Sequence, residues 1–153
     1  MRQSEYLSLA FVMSLLFVST VFSQDMRPER GYEHQDVAVA EKRFVAAVDA
    51  NGVQHAEITG GEYYFDPNYI VVKVNVPVEL KVTKAPGYVP HDIVAKSPEA
   101  GIDFKAELEN GKPAIIKFTP TKTGSYPIYC DKKFLWFESH RERGMEGIIE
   151  VVE

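Results

Sequence analysis

Four side chains near the end of this chain carry soft or borderline metal-donor atoms in a telling order. Cys130 is the only cysteine, His140 follows it, and Met145 follows that. His91 stands well upstream, directly after Pro90. One thiolate, two imidazoles and one thioether make the donor set of a mononuclear copper site that carries electrons. The lone cysteine sharpens this reading. An apolar run from Leu7 to Phe22, after Arg2 and before Val21-Phe22-Ser23, has the anatomy of a secretory signal peptide over residues 1–23. The run is shorter than a membrane span needs, so no stable span is expected after cleavage, although an uncleaved anchor is the alternative. An exported protein usually pairs its cysteines, and one thiol cannot pair within the chain. Taken alone, Cys130 would be a buried core thiol; beside two histidines and a methionine it is a ligand.

The remaining chain must position these groups. With 153 residues, 45% hydrophobic and 25% charged, the sequence has room for one globular domain. A net charge of −5 gives no electrostatic case for nucleic acid or an anionic membrane. Residues 24–42 are polar and read as an arm or linker; 43–153 read as the folded domain. Phe44 to Val48 could be a strand turning at Asp49-Ala50-Asn51-Gly52 into Val53 to Thr59, since Asn-Gly favours a hairpin. A short helix from Val37 to Val48 competes with it. Beyond Tyr63 the pattern is that of strands. Ile70, Val72, Val74 and Val76 alternate, as do Val78, Leu80 and Val82; His91 to Ala95, Ala114 to Phe118, Tyr126 to Cys130 and Ile148 to Val152 follow. Ala100 to Gly111 is less regular and reads as a loop or a helical turn. The expected class is an all-β sandwich.

On these residues the chain resembles the cupredoxins, the blue-copper Greek-key β-sandwiches, from about Val53 to Glu153. Three stretches carry the resemblance. Gly61-Glu62-Tyr63-Tyr64-Phe65-Asp66-Pro67, with Ile70 to Lys73, is similar to the early strands. Val89-Pro90-His91-Asp92 is similar to the first-ligand motif. Tyr126-Pro127-Ile128-Tyr129-Cys130, then His140 and Met145-Glu146-Gly147, is similar to the ligand loop. The resemblance implies one type 1 copper per chain, with His91, Cys130 and His140 in plane and Met145 axial. It implies an electron carrier that meets redox partner proteins; the signal peptide would place it in the periplasm or otherwise export it, and with no acid-base pair, second metal or open ligand position an enzyme is not expected. The alternatives are a copper carrier or chaperone without a redox role, and a cupredoxin subunit of a respiratory complex. The dinuclear oxidase-subunit centre needs two cysteines in the loop, and here there is one.

Two departures from the family pattern bear on the site. The usual Asn after the first His is Asp92, which either accepts hydrogen bonds beside the metal or faces solvent. Nine residues, Asp131 to Ser139, separate Cys130 from His140, more than small blue-copper carriers commonly have. The long loop leaves the geometry open: the site could be rhombic, a carbonyl of Val89 or Pro90 could approach the metal, and Glu138 or Glu142 could replace Met145. Phe134, Leu135, Trp136 and Phe137 in that loop either cap the sandwich or form an exposed docking patch around His140. Lys132, Lys133, Arg141 and Arg143 are balanced by Asp131, Glu138, Glu142 and Glu146, so the partner's charge cannot be read. His34 and His55 read as surface residues with too few companions to be ligands.

Overall fold

The computed structural model describes residues 40–153. The signal segment, most of the polar arm, His34 and the start of the competing helix lie outside these residues. Ten strands form two sheets: β1 (Arg43–Val45), β2 (Gln54–Gly61), β3 (Tyr64–Asp66), β4 (Tyr69–Lys73), β5 (Val78–Lys84), β6 (His91–Ser97), β7 (Ile102–Leu108), β8 (Ala114–Phe118), β9 (Gly124–Tyr129) and β10 (Glu146–Val152). One sheet has the order β1-β4-β10-β9-β6-β7, the other β3-β2-β5-β8. The two make the expected all-β cupredoxin-like sandwich.

Alternation explains which side chains face inward. Along β2 the buried positions include Gln54, Ala56 and Ile58; along β5 they are Val78, Leu80, Val82 and Lys84. Successive strand residues point to opposite faces, so one apolar row per strand suffices to build a core. Ile93 and Ala95 of β6, Ile128 of β9, and Ile149 and Val151 of β10 meet them in that core. β6 is buried on both sides over His91 to Ala95, consistent with its place between β9 and β7. Buried Gln54 is fully used: its amide nitrogen donates to the carbonyls of Lys73 (3.1 Å) and Val76 (3.2 Å), and its oxygen accepts from the Lys73 amide (2.6 Å).

Several elements differ from the sequence reading, each for a local reason. The segment from Phe44 to Val48 does not form a hairpin ladder with β2. Its strand, β1, pairs in parallel with β4, and only a single antiparallel bridge, Val48 to Gln54, joins it to β2. The turn at Asp49-Ala50-Asn51-Gly52 does form: Asp49 Oδ1 accepts from the amides of Asn51 (2.9 Å) and Val53 (2.8 Å), and Gly52 takes a φ of +77°. It moves the chain from one sheet to the other. No helix forms over 40–48. Val74 and Val76 fall outside β4 because Asn75 adopts a φ of +59° ahead of Pro77. The irregular stretch from Ala100 is in fact β7, preceded by a 3-10 turn over Pro98–Ala100. At the end of the polar stretch, the Lys42 amide donates to Asn68 Oδ1 and its carbonyl accepts from Tyr69.

β10 is held between β4 and β9, and Gly147 near its start lies against the backbone of Asn68. A Cβ there would sit 2.4 Å from the Asn68 carbonyl oxygen, a backbone atom that cannot step aside. Gly147→Ala should therefore destabilise the protein by about 1–3 kcal/mol, the usual cost of forcing atoms into a packed region. Urea titration checks this; an unchanged midpoint would mean that the β4–β10 contact is looser than described.

Candidate metal centre

The topology gathers the four predicted ligands at one end of the sandwich. His91 opens β6, Cys130 follows directly on β9, and Met145 directly precedes β10. β9 runs antiparallel to both β6 and β10, so the end of β9 lies beside the two strand starts. The Cys130 amide donates to the Met145 carbonyl at 3.0 Å, which extends the β9–β10 ladder by one step. His140 is fixed by backbone bonds on both sides: its amide donates to Lys132 O, and its carbonyl accepts from the Met145 amide, each at 2.9 Å.

A short turn between Ser139 and Gly144 aims His140. The Ser139 amide and hydroxyl both donate to Glu142 Oε2 (2.6 and 2.7 Å), and the Glu142 amide donates back to Ser139 Oγ (3.2 Å). This is a reciprocal capping box. It occupies Glu142 at the exposed surface, which removes it as the axial alternative to Met145.

His91, Cys130 and His140 are all buried, and their donor atoms converge. Nδ1 of His91 lies 3.1 Å from Nδ1 of His140, and Cys130 Sγ lies 3.4 Å from His140 Nδ1 and 3.9 Å from His91 Nδ1. Metal–nitrogen bonds of about 2.0 Å and a metal–sulfur bond of about 2.3 Å in a trigonal plane would hold such atoms roughly 3.5 to 3.8 Å apart. The observed triangle is of that size, so the residues fit a single ion. Met145 is completely buried beside them in sequence and backbone pairing. Among the described residues this is the one cluster of three such side chains. His55 is exposed and contacts Asp49 (3.0 Å) and Glu79 (3.9 Å), as a surface residue should.

The electrostatics suit a metal as well. Burial first, then repulsion from His140 and Lys84, pushes His91 down to about 4, with Asp92 opposing. His140 is also lowered, by burial and by Arg143. Both rings are therefore neutral with free lone pairs at neutral pH. Burial pushes the Cys130 thiol up to about 11, against the backbone amides of Asp92 and Lys132 that lower it. The thiol thus keeps its proton until a cation replaces it.

Asp92 does not face solvent. It is wholly buried; its Oδ1 accepts from the Asp131 amide at 2.7 Å, and its own amide points at Cys130 Sγ at 3.5 Å. It thereby ties the start of β6 to the Cys130 loop, using acceptor capacity alone. Its Oδ2 makes no well-aligned hydrogen bond but sits 3.2 Å from Lys105 Nζ and 3.8 Å from Lys132 Nζ. Lys105, held by Asp131 and Asp92, is raised.

Sequence reasoning missed the cover of the site. Tyr63, at a φ of +64°, stands edge-on to His140 (centroids 4.9 Å) and to His91 (6.2 Å). The Arg143 guanidinium lies 3.6 Å from the centre of the Tyr63 ring. Nothing in the sequence pattern marks Tyr63, whereas Ser139-x-x-Glu142 is a readable capping signature. The aromatic loop does not cap the sandwich. Phe134, Leu135, Trp136 and Phe137 are all exposed, Trp136 to 81%; the Phe137 ring stacks on those of Phe134 and Trp136, in a turn closed by the Phe137 amide on Phe134 O.

Between pH 6.5, above which both histidines are neutral, and about 11, the thiol alone gives up a proton on metal binding. Metal affinity should rise about tenfold per pH unit in this window, with one proton released per ion. Dye-detected proton release at pH 8 on adding one equivalent of Cu(I) checks this; release of none would mean that Cys130 does not bind. Ser139→Ala should cost about 1 kcal/mol by removing the cap, seen as a lowered melting midpoint of the apo-protein.

Comparison with known proteins places this geometry in context. A family model described as a cupredoxin-like domain matches residues 12–144. No curated protein matches. Among solved structures, the metal-binding domain of a Cu(I)-exporting P-type ATPase of Streptococcus pneumoniae aligns with a TM-score of 0.57 at 19% identity, covering 75% of this chain and 100% of that one. A copper-binding protein solved in its apo form gives 0.55 at 22%, covering 74% and 100%. Auracyanin from the photosynthetic bacterium Roseiflexus castenholzii gives 0.54 at 19%, covering 71% and 99%. At these identities the likeness is one of fold. With a two-sheet sandwich and a copper-type donor set at its end, this chain belongs to the family of cupredoxin-like domains.

Proposed function

We propose that the chain carries single electrons, cycling one bound copper between Cu(II) and Cu(I). The observation that carries this reading is the convergence of two Nδ1 atoms and one Sγ in a buried cluster, with Met145 buried next to it in the backbone ladder. His91 and His140 would bind as neutral imidazoles, Cys130 as thiolate and Met145 as a weak thioether donor. When bound, the copper supplies the one-electron couple. The protein's part is to hold the ligands still, so that little rearranges as the charge changes. Strand ends fix His91, Cys130 and Met145; the capped turn and its two backbone bonds fix His140. Tyr63 and Arg143 keep solvent from the rings.

The exposed Phe134 to Phe137 surface is the natural place for a redox partner to dock, since large apolar groups on a surface mark contact sites. Among the described residues no helix is long and apolar enough to cross a membrane. The apolar run from Leu7 to Phe22 is the feature that supports an exported protein. Copper delivery is the second reading. The Tyr63 and Arg143 cover weighs against it, because exchange of the ion would require the cover to open.

Titration with Cu(II), followed by ascorbate, tests the electron-carrier reading. An intense thiolate-to-copper band should saturate at one equivalent, bleach on reduction and be absent in Cys130→Ser. Copper bound without that band, and readily lost to a chelator, would sink it. Trp136→Ala should leave the band intact and stability within about 0.5 kcal/mol. It should also slow electron self-exchange, measured by NMR line broadening; an unchanged rate would show that the aromatic loop takes no part in contact.

A further inference from the structure

Lys84 is a buried lysine that the proposed mechanism does not use. It occupies the fourth inward position of β5, after Val78, Leu80 and Val82, where alternation calls for an apolar side chain. Burying an ammonium is costly, and proteins normally offset the cost with a carboxylate. Here the partners are neutral. Lys84 Nζ donates to the carbonyl of Gly87 (2.8 Å) and to Asn110 Oδ1 (3.1 Å), and Asn110 Nδ2 donates to the same Gly87 carbonyl (3.0 Å). Among the described residues no carboxylate forms an ion pair with Lys84.

The position of this cation gives it a role. Gly87 lies in the loop that leads into His91, so the three-way clamp ties that loop to the end of β5 and to the β7–β8 turn. Lys84 pairs with Gly60 of β2, and a Cβ on Gly60 would lie 3.5 Å from the Met145 methyl and 2.8 Å from Leu108, the residue opposite His91. Lys84 thus stands behind the His91 and Met145 side of the site. Its repulsion contributes to the low basicity of His91. The nearby negative charge, Asp92, already has two lysines beside it, Lys105 and Lys132. On the other side Arg143 covers Tyr63 above His140. Lys105 and Lys132 also pair with Asp131 and Glu107, so those cations are balanced locally, whereas Lys84 has no carboxylate partner among the described residues.

We propose that Lys84 is a built-in cation that biases the bound copper toward its reduced state while pinning the loop that carries His91. A Cu(II)–thiolate unit carries one more positive charge than its Cu(I) counterpart, so a fixed neighbouring cation disfavours the oxidised form. Lys84 acts through the field and through Gly87, so it is a positioning residue and not a ligand. The inference rests on the electron-carrier reading above.

The test compares the copper-loaded wild type with Lys84→Met, Lys84→Gln and Lys84→Arg by voltammetry, visible absorption and electron paramagnetic resonance. Removing the charge should raise the Cu(II)-over-Cu(I) affinity ratio roughly tenfold, the order of effect of one nearby unit charge at an effective dielectric near 20. That is a fall of about 59 mV in the one-electron potential. The thiolate band should persist. Lys84→Gln retains a donor for Gly87 without the charge, and carries the measurement if Lys84→Met does not fold. Lys84→Arg should stay near the wild-type potential. Potentials unchanged in both uncharged variants would overturn the proposal, as would Lys84→Arg falling as far as they do, which would assign the effect to packing. A wild type without the thiolate band would overturn the carrier reading and this inference together. A wild type with the band, and variants that keep its potential, would overturn this inference alone.

Discussion

The centre depends on one backbone contact, the Cys130 amide bonded to the Met145 carbonyl. It closes the sixteen-residue loop between β9 and β10 at its base. With that base fixed, the loop can be long without leaving its ligands loose. The Met145 amide then holds the His140 carbonyl, and the His140 amide holds Lys132. Each ligand of the loop is therefore at most one hydrogen bond from another ligand or from the strand end. Of the nine residues between Cys130 and His140, Asp131, Lys132 and Ser139 hold the ligand segments, and Phe134 to Phe137 between them bulge outward as an exposed aromatic turn.

A second constraint is the burial of charge. His91 and His140 are neutral for want of water, Cys130 is protonated for the same reason, and Asp92 is tolerated because the Asp131 amide and two lysines face it. A polar group inside a sandwich end must find partners, and those partners also fix geometry. Asp92 serves as the crosslink between the two ligand-bearing segments because it needs the Asp131 amide as much as the segments need a tie.

The sandwich and the donor set were legible in the sequence for a common reason: both are written in local pattern. Alternation in Val78-Leu80-Val82 and the run from Tyr126 to Cys130 placed strands correctly, and His91, Cys130 and His140 come together in space. What stayed hidden depends on distant parts of the chain. Phe44 to Val48 looked like half of a hairpin, but its strand found β4 instead, a choice made by tertiary pairing. β7 was obscured because Asp103, Lys105 and Glu107 of this edge strand face solvent and dilute its apolar signal. Tyr63 reaches the histidines through a positive φ that no periodicity announces. The burial of Lys84, by contrast, follows from extending the β5 alternation by one more step.

β4 carries a consequence of its own. It is flanked in parallel by β1 and by β10, and β10 pairs Ile148 with Tyr69. These partners are about eighty residues apart, so the loop that their pairing closes costs chain entropy before any contact repays it, and pairing of this kind comes slowly. The β10 start that delivers Met145 belongs to this late pairing, whereas β6 and β7 form from neighbouring segments. On the ribosome, the emerging chain would hold His91 well before it held the rest. The metal site is thus completed only once Cys130, His140 and Met145 have followed His91, and a partly made molecule has little with which to capture a metal ion in the wrong place.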